Sequence, residues 1–108
     1  MTEETFRIDV KRVGDSEVMM FRGNIDTHAE PHFTNLFNRI STTKLTMDFS
    51  QTGRINSMGI AFLLRSIKKF KTEKNATVMV SGVNQINTML FKMTGIFILA
   101  PEIKPAGA

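Results

Sequence analysis

Residues 46–71 read Thr-Met-Asp-Phe-Ser-Gln-Thr-Gly-Arg-Ile-Asn-Ser-Met-Gly-Ile-Ala-Phe-Leu-Leu-Arg-Ser-Ile-Lys-Lys-Phe-Lys. With Leu45 in front, Met47 and Phe49 alternate with Thr46, Asp48 and Ser50, which is the period of a half-buried strand. Gly53 is expected to break that run. Asn56-Ser57 then precedes a helical pattern with Ile60, Leu63, Leu64, Ile67 and Phe70 on one face. Either residue suits an N-cap, because a short side-chain oxygen accepts from the free N–H groups of the first turn. A strand therefore delivers one serine, Ser57, to a helix start.

Two readings of Ser57 stand at this point. It, or Asn56, is a cap worth about 1 kcal/mol, and caps are the commoner case. Alternatively, Ser57 is a phosphorylation site, since the unpaired N–H groups and positive dipole end of a helix favour a phosphate ester there. At 100° per residue, Met58, Phe62, Arg65 and Lys69 are expected to project opposite the core stripe. Met58 and Phe62 are i, i+4 neighbours, and two large apolar side chains on an outward face suggest a partner surface. The alternative is a wider core stripe or cover from the C-terminal tail.

Asp48-Phe49-Ser50, a short loop, then Ile55-Asn56-Ser57-Met58-Gly59 and an apolar helix resembles the signature of the STAS domain, the domain of bacterial anti-sigma factor antagonists. Gly23-Asn24-Ile25-Asp26 resembles the second family signature, a Gly-x-apolar-Asp strand end whose loop lies beside the serine loop. The resemblance spans residues 6–99. It implies phosphorylation at Ser57 by a partner serine kinase that also acts as an anti-sigma factor, and reversal by a PP2C-type phosphatase. It also implies partner-binding roles for Asp26, Asn56, Met58, Gly59, Phe62 and Arg65, with Asp48 and Ser50 supporting the site. Asn56 stands where the family has Asp, and Met58 where it has a small residue. Those two departures bear on kinase recognition.

The chain has 108 residues, enough for one domain with one core, and 42% are hydrophobic. Its net charge of +4 departs from the acidic balance common among such antagonists. There is no cysteine, which excludes disulfides, thiolate metal sites and cysteine nucleophiles. No apolar run is long enough to span a bilayer, and Met1–Thr5 is acidic, unlike a signal peptide. A cytoplasmic protein without membrane insertion is expected.

Phe6, Ile8 and Val10 alternate with polar residues, a strand; Gly14-Asp15-Ser16 is a turn. Val18-Met19-Met20-Phe21 reads as a second strand, buried on both faces or flanked by neighbours. Thr27 to Glu30 has capping-box spacing, whereas Pro31 suits a first helical position, so this boundary stays open. Phe33, Leu36, Phe37 and Ile40 mark a helix of about three turns. His28 and His32 have i, i+4 metal-ligand spacing, but no third His or Cys exists to complete a site. Thr77–Ser81 is a buried strand ended by Gly82. Val83, Ile86, Leu90 and Met93 mark a third helix capped by Asn84 and closed by Gly95. Ile96–Leu99 reads as a final strand or an apolar plug, and residues 100–108 as a mobile tail.

The expected fold is α/β and STAS-like: one domain over 1–108, core about 6–99, with a mixed four- to five-stranded sheet and helices packed on it. Catalysis is disfavoured. Ile55 occupies the first glycine position of a G-x-S-x-G elbow, and no phosphate loop or dinucleotide fingerprint occurs. Nucleic acid is disfavoured by dispersed lysines and the lack of Tyr and Trp. No cofactor or metal is expected. The remaining class is a protein-binding module, either phospho-switched or a constitutive STAS subunit of a transporter or stress complex.

Overall fold

A computed structural model describes residues 6–103. Four strands, β1 (Arg7–Val13), β2 (Ser16–Ile25), β3 (Lys44–Ile55) and β4 (Thr77–Ser81), lie side by side in sequence order. β1 and β2 form an antiparallel hairpin. β2–β3 and β3–β4 are parallel, so each requires a helical crossover. α1 (Glu30–Arg39) and α2 (Ser57–Glu73) supply these. α3 (Gln85–Thr94) and the single turn α4 (Ile96–Leu99) follow β4. Residues 101–103 then lie along β4: Val80 donates its N–H to the Pro101 carbonyl at 2.9 Å and accepts from Ile103 at 2.7 Å. The part of the expected mobile tail from 100 to 103 is thus tied to the sheet edge; 104–108 lie outside the described residues.

The sheet is one-sided. Met19, Phe21 and Ile25 of β2, Leu45, Met47 and Phe49 of β3, and Val78 and Val80 of β4 face the helices and are buried. Val18 and Met20 are only half-buried, so of the two readings of β2 it is the flanked strand that holds, with β1 on one side and β3 on the other; burial alternates along it, with apolar residues on the outer face as well. A run of rings crosses the core. Phe21 stacks on Phe33 and on Phe49, with centroids 5.7 and 4.9 Å apart, and Phe91 meets Phe49 edge-on at 5.1 Å. Offset and edge contacts of this kind add about 0.5–1.5 kcal/mol each beyond area burial.

Among the described residues one carboxylate is buried. Glu17, on the core-side row of β2, accepts from the N–H groups of Ser41 and Thr42 at 2.8 and 2.7 Å and from the Thr42 hydroxyl at 2.9 Å. Burial raises its pKa, but the donors from Ser41 and Thr42 outweigh that and hold it below the ordinary Glu value. The clamp fixes the link that leads from α1 into β3.

The open boundary before α1 is settled by its cap. Asp26 caps a 3-10 turn, Thr27–Ala29, through the His28 N–H at 3.0 Å, and α1 begins at Glu30 with Pro31 in its first turn. Gly53 does not break β3, which continues to Ile55. Gly53 and Arg54 stand opposite Asn24 in an irregularity of the β2–β3 ladder, between the Gly23–Thr52 and Ile25–Ile55 pairs, and the Asn24 side chain accepts from Arg54 N–H there at 2.8 Å.

α3 turns a different face inward from the one its apolar spacing predicts. Asn84 and Gly95 cap it as expected, with Gly95 at φ 84°. However, Asn87 and Phe91 are the buried residues, whereas Ile86 and Met93 point outward. Two contacts set this phase: the Phe91 edge against Phe49, and the Asn87 amide donating to the Gly53 carbonyl at 3.0 Å. The terminal apolar segment is a plug, with Ile96 fully buried, and is helical, not extended.

Candidate functional site

The site is built where β3 leaves the sheet. β4 pairing stops at Asp48, while β2 accompanies β3 to the end, with Ile25 opposite Ile55. Asn56 then donates its N–H to the Ile25 carbonyl at 3.2 Å. Its own side-chain oxygen accepts from Gly59 N–H at 2.9 Å, so Asn56 is the N-cap of the 17-residue helix α2. Ser57 occupies the first helical position and is exposed. The cap role is filled by its neighbour, and Ser57 is left at the positive end of four to five helical turns.

Gly59 is buried because the helix meets β2 at its backbone. A Cβ built there would lie 2.3 Å from the Ile25 carbonyl oxygen. Only glycine allows this approach, and it seats the Ser57 turn against the strand end. Asp26 follows Ile25 directly, so the Asp26 turn and the Ser57 turn adjoin. The Asp26 carboxylate is engaged locally, lying 3.3 Å from the His28 ring nitrogen as well as capping its own turn.

Asp48 and Ser50 bracket a different neighbour. Asp48 accepts from Ser50 N–H at 2.8 Å, and both press against Gly82, whose φ of +70° and close surroundings leave no space for a side chain. They shape the β3–β4 exit on the solvent side of the sheet.

Phe62 is not on the outward face. It is 2% exposed and lies 5.8 Å from Phe33. The cause is α1: the helix packs on both the sheet and α1, so its core arc is wider than the stripe running from Ile60 to Phe70. Met58, 43% exposed, and Arg65 do face solvent. Between α1 and α2 runs a groove of about 160 Å³, lined by Phe33, Phe37, Phe62, Arg65 and Lys69 among others. Within the groove Lys69 sits 4.4 Å from the Phe37 ring centre, a cation–π contact, and the charged lining is Arg65, Lys69 and Glu30.

His28 and His32 build no metal site; among the described residues no group of His, Cys, Asp and Glu could hold an ion. His32 instead packs edge-on to Phe6 at 5.2 Å. No helix of the described residues is long and apolar enough to cross a membrane. Two residues that position the site escaped the sequence reading. Asn24 and Asn87 hold the 53–54 backbone, three residues before Ser57, from two sides. Neither carried a signal, since a lone Asn in a strand or helix reads as a surface residue.

The model of the STAS domain family matches residues 7–105. No curated protein sequence matches the chain significantly. Among solved structures, an anti-sigma factor antagonist from Mycobacterium paratuberculosis superposes with a TM-score of 0.77 at 19% identity, covering 91% of this chain and 85% of that one. Unphosphorylated SpoIIAA, an anti-sigma factor antagonist, gives 0.73 at 13% identity, covering 93% and 89%. The STAS domain of a SulP transporter from Vibrio cholerae gives 0.72 at 19% identity, covering 90% and 78%. The sheet topology and crossover helices agree with a family match over nearly the whole chain: this protein belongs to the STAS domain family.

Proposed function

We propose that the chain is a regulatory protein of the anti-sigma factor antagonist type, acting in the cytoplasm by binding and not by catalysis. Unmodified, the Ser57 turn with Asn56, Met58 and Arg65 docks on a serine kinase that also serves as an anti-sigma factor. Phosphorylation of Ser57 by that kinase adds roughly two negative charges to the centre of the contact and ends the complex. A PP2C-type phosphatase restores it. The observation that carries this reading is the division of labour at the helix start: Asn56 provides the cap, and Ser57 stands exposed beside it with no capping duty. Gly59 seats the turn against Ile25, Asp26 joins the contact from the adjoining turn, and Phe62 contributes through the groove wall.

A loss of about 1.4 kcal/mol of contact already lowers affinity tenfold, so a single phosphate suffices as a switch. The test is the intact mass of the protein from its native host, compared with Ser57→Ala. A phosphate-sized increment that disappears in the variant is expected. Binding to the co-purified kinase should survive Ser57→Ala and be lost in Ser57→Asp.

The likeness to a SulP transporter STAS domain favours a second reading, a constitutive subunit without a phospho-switch. No mass increment under growth and stress conditions, with equal partner binding by Ser57→Ala and Ser57→Asp, would establish that reading and overturn the first.

A further inference from the structure

The groove between α1 and α2 owes its shape to one short residue. Phe62, Ser66 and Phe70 follow one another at steps of four, so they stand in one row along α2. Phe33 and Phe37 meet that row from α1: the Phe33 and Phe62 ring centres are 5.8 Å apart, and those of Phe37 and Phe70 are 5.6 Å apart. The two ring pairs bridge the helices, and the half-buried Ser66 leaves a hollow between them. Its floor is apolar and preformed, since Phe33, Phe62 and Phe70 are all buried. The hollow measures about 160 Å³, close to the roughly 150 Å³ of a cavity that admits benzene. A single ring fits there, whereas a helix or strand of a partner does not.

The rim is charged. Arg65 and Lys69 stand one turn apart on α2 and both line the groove, with Glu30 of α1. The Lys69 ammonium is placed against the wall by the Phe37 ring, 4.4 Å from its centre. Among the described residues neither Arg65 nor Lys69 makes an ion pair. Two cations against one carboxylate leave the rim with a single positive charge in excess, beside a floor of rings. The complement is one small molecule that joins an aromatic ring to one negative charge. A phenylalanine side chain of a partner brings the ring without the charge, and an acidic side chain brings the charge without the ring.

We propose that the α1–α2 groove binds a small aromatic monocarboxylate, its ring over Phe33, Phe62 and Phe70 and its carboxylate on Arg65 and Lys69. The site does not depend on the Ser57 switch and is tested without a kinase. Phenylacetate is titrated into isotope-labelled full-length protein, beside its neutral amide, phenylacetamide. Amide shifts concentrated in 30–37 and 62–70 are expected, saturating with a Kd of about 1 mM, the strength open to a ligand of about ten non-hydrogen atoms. Phenylacetamide should bind about tenfold more weakly, the worth of a charge-assisted hydrogen bond. Arg65→Gln with Lys69→Gln should erase that difference. Lys68→Gln removes an exposed cation of α2 that does not line the groove, and should leave the difference intact. Ser66→Leu, which fills the hollow, should abolish binding of both probes while circular dichroism stays unchanged. Equal binding of the two probes, shifts outside the two helices, or no saturation with phenylacetate would each overturn the proposal. So would a loss with Lys68→Gln as large as that with the paired Arg65 and Lys69 variants, which reduces the effect to overall charge. A peptide ending in phenylalanine that binds about tenfold more tightly than phenylacetate would make the occupant a protein C-terminus, and self-association that Ser66→Leu abolishes would make it a second copy; either overturns the proposal too.

Discussion

Gly59→Ala tests how the Ser57 turn is held. The added Cβ would stand 2.3 Å from the Ile25 carbonyl oxygen and 3.0 Å from the Ile25 carbonyl carbon. These are backbone atoms inside a ladder and cannot rotate away, so the first turn of α2 must withdraw by about an ångström. Withdrawal strains the Asn56-to-Ile25 hydrogen bond, already 3.2 Å long. Overpacking of this kind costs about 1–3 kcal/mol and a weakened hydrogen bond about 1 kcal/mol. Alanine's better helix propensity returns up to about 1 kcal/mol. The net is a loss of roughly 2 kcal/mol, which lowers Tm by roughly 10 °C in a domain of this size. Urea unfolding measures it directly. Gly53→Ala is the control: its Cβ would also meet an atom at 2.3 Å, but that atom is the end of the Asn24 side chain, which can turn aside. The control should lose only about 1 kcal/mol, the worth of the Asn24–Arg54 hydrogen bond. A Gly59→Ala loss below 0.5 kcal/mol, or one no larger than the control's, would refute the rigid backbone seat. Partner binding should fall with Gly59→Ala even though Gly59 is itself buried.

Phe62→Ala should destabilise by about 3–5 kcal/mol as a core truncation, whereas Met58→Ala should change stability by less than about 0.5 kcal/mol while weakening partner binding; denaturant curves and a binding titration separate the two. Asn56→Ala should cost about 1 kcal/mol and Asn56→Asp nearly nothing, since either carbonyl oxygen can cap Gly59 N–H. Glu17→Gln should cost about 1–3 kcal/mol through lost charge-assisted bonds. Its pKa is lowered in the folded state, so its contribution is complete above the unfolded value of 4.5 and is lost as pH falls through the lower folded value. The wild-type acid limb should therefore be steeper than that of Glu17→Gln, measured by urea unfolding between pH 6 and 3.

The strands and the two crossover helices were legible because period-2 and period-3.6 patterns are written by whichever face is buried, and this sheet buries only one. Leu45–Phe49 alternates cleanly in sequence and in burial, Phe6–Asp9 does so up to the half-buried Val10, and Thr77–Ser81 alternates in burial although Met79 is apolar. The candidate site was legible as far as local rules reach: a cap, a glycine and a serine at a helix start. Its seating was not, because Gly59 against Ile25 joins residues 34 apart in sequence, and no local pattern marks such an approach.

The two helix errors share a cause. A period fixes where apolar residues recur, but a helix is buried by its neighbours, and their number and direction are tertiary facts. α2 has two neighbours, the sheet and α1, so its buried arc widened to take in Phe62. α3 is phased by an aromatic edge contact and one amide, Phe91 on Phe49 and Asn87 on the Gly53 carbonyl, and turned its apolar stripe about 100° away from the core, one residue's rotation. Hydrophobicity alone ranks Ile86 and Met93 above Asn87 for burial. The fold chose otherwise because Asn87 fastens the strand end that carries the Ser57 turn, a task an apolar side chain cannot perform. The misplaced stripe is thus informative: where a helix gives its inner face to positioning a loop and its outer face to apolar residues, the outer residues answer to something other than this domain's own stability.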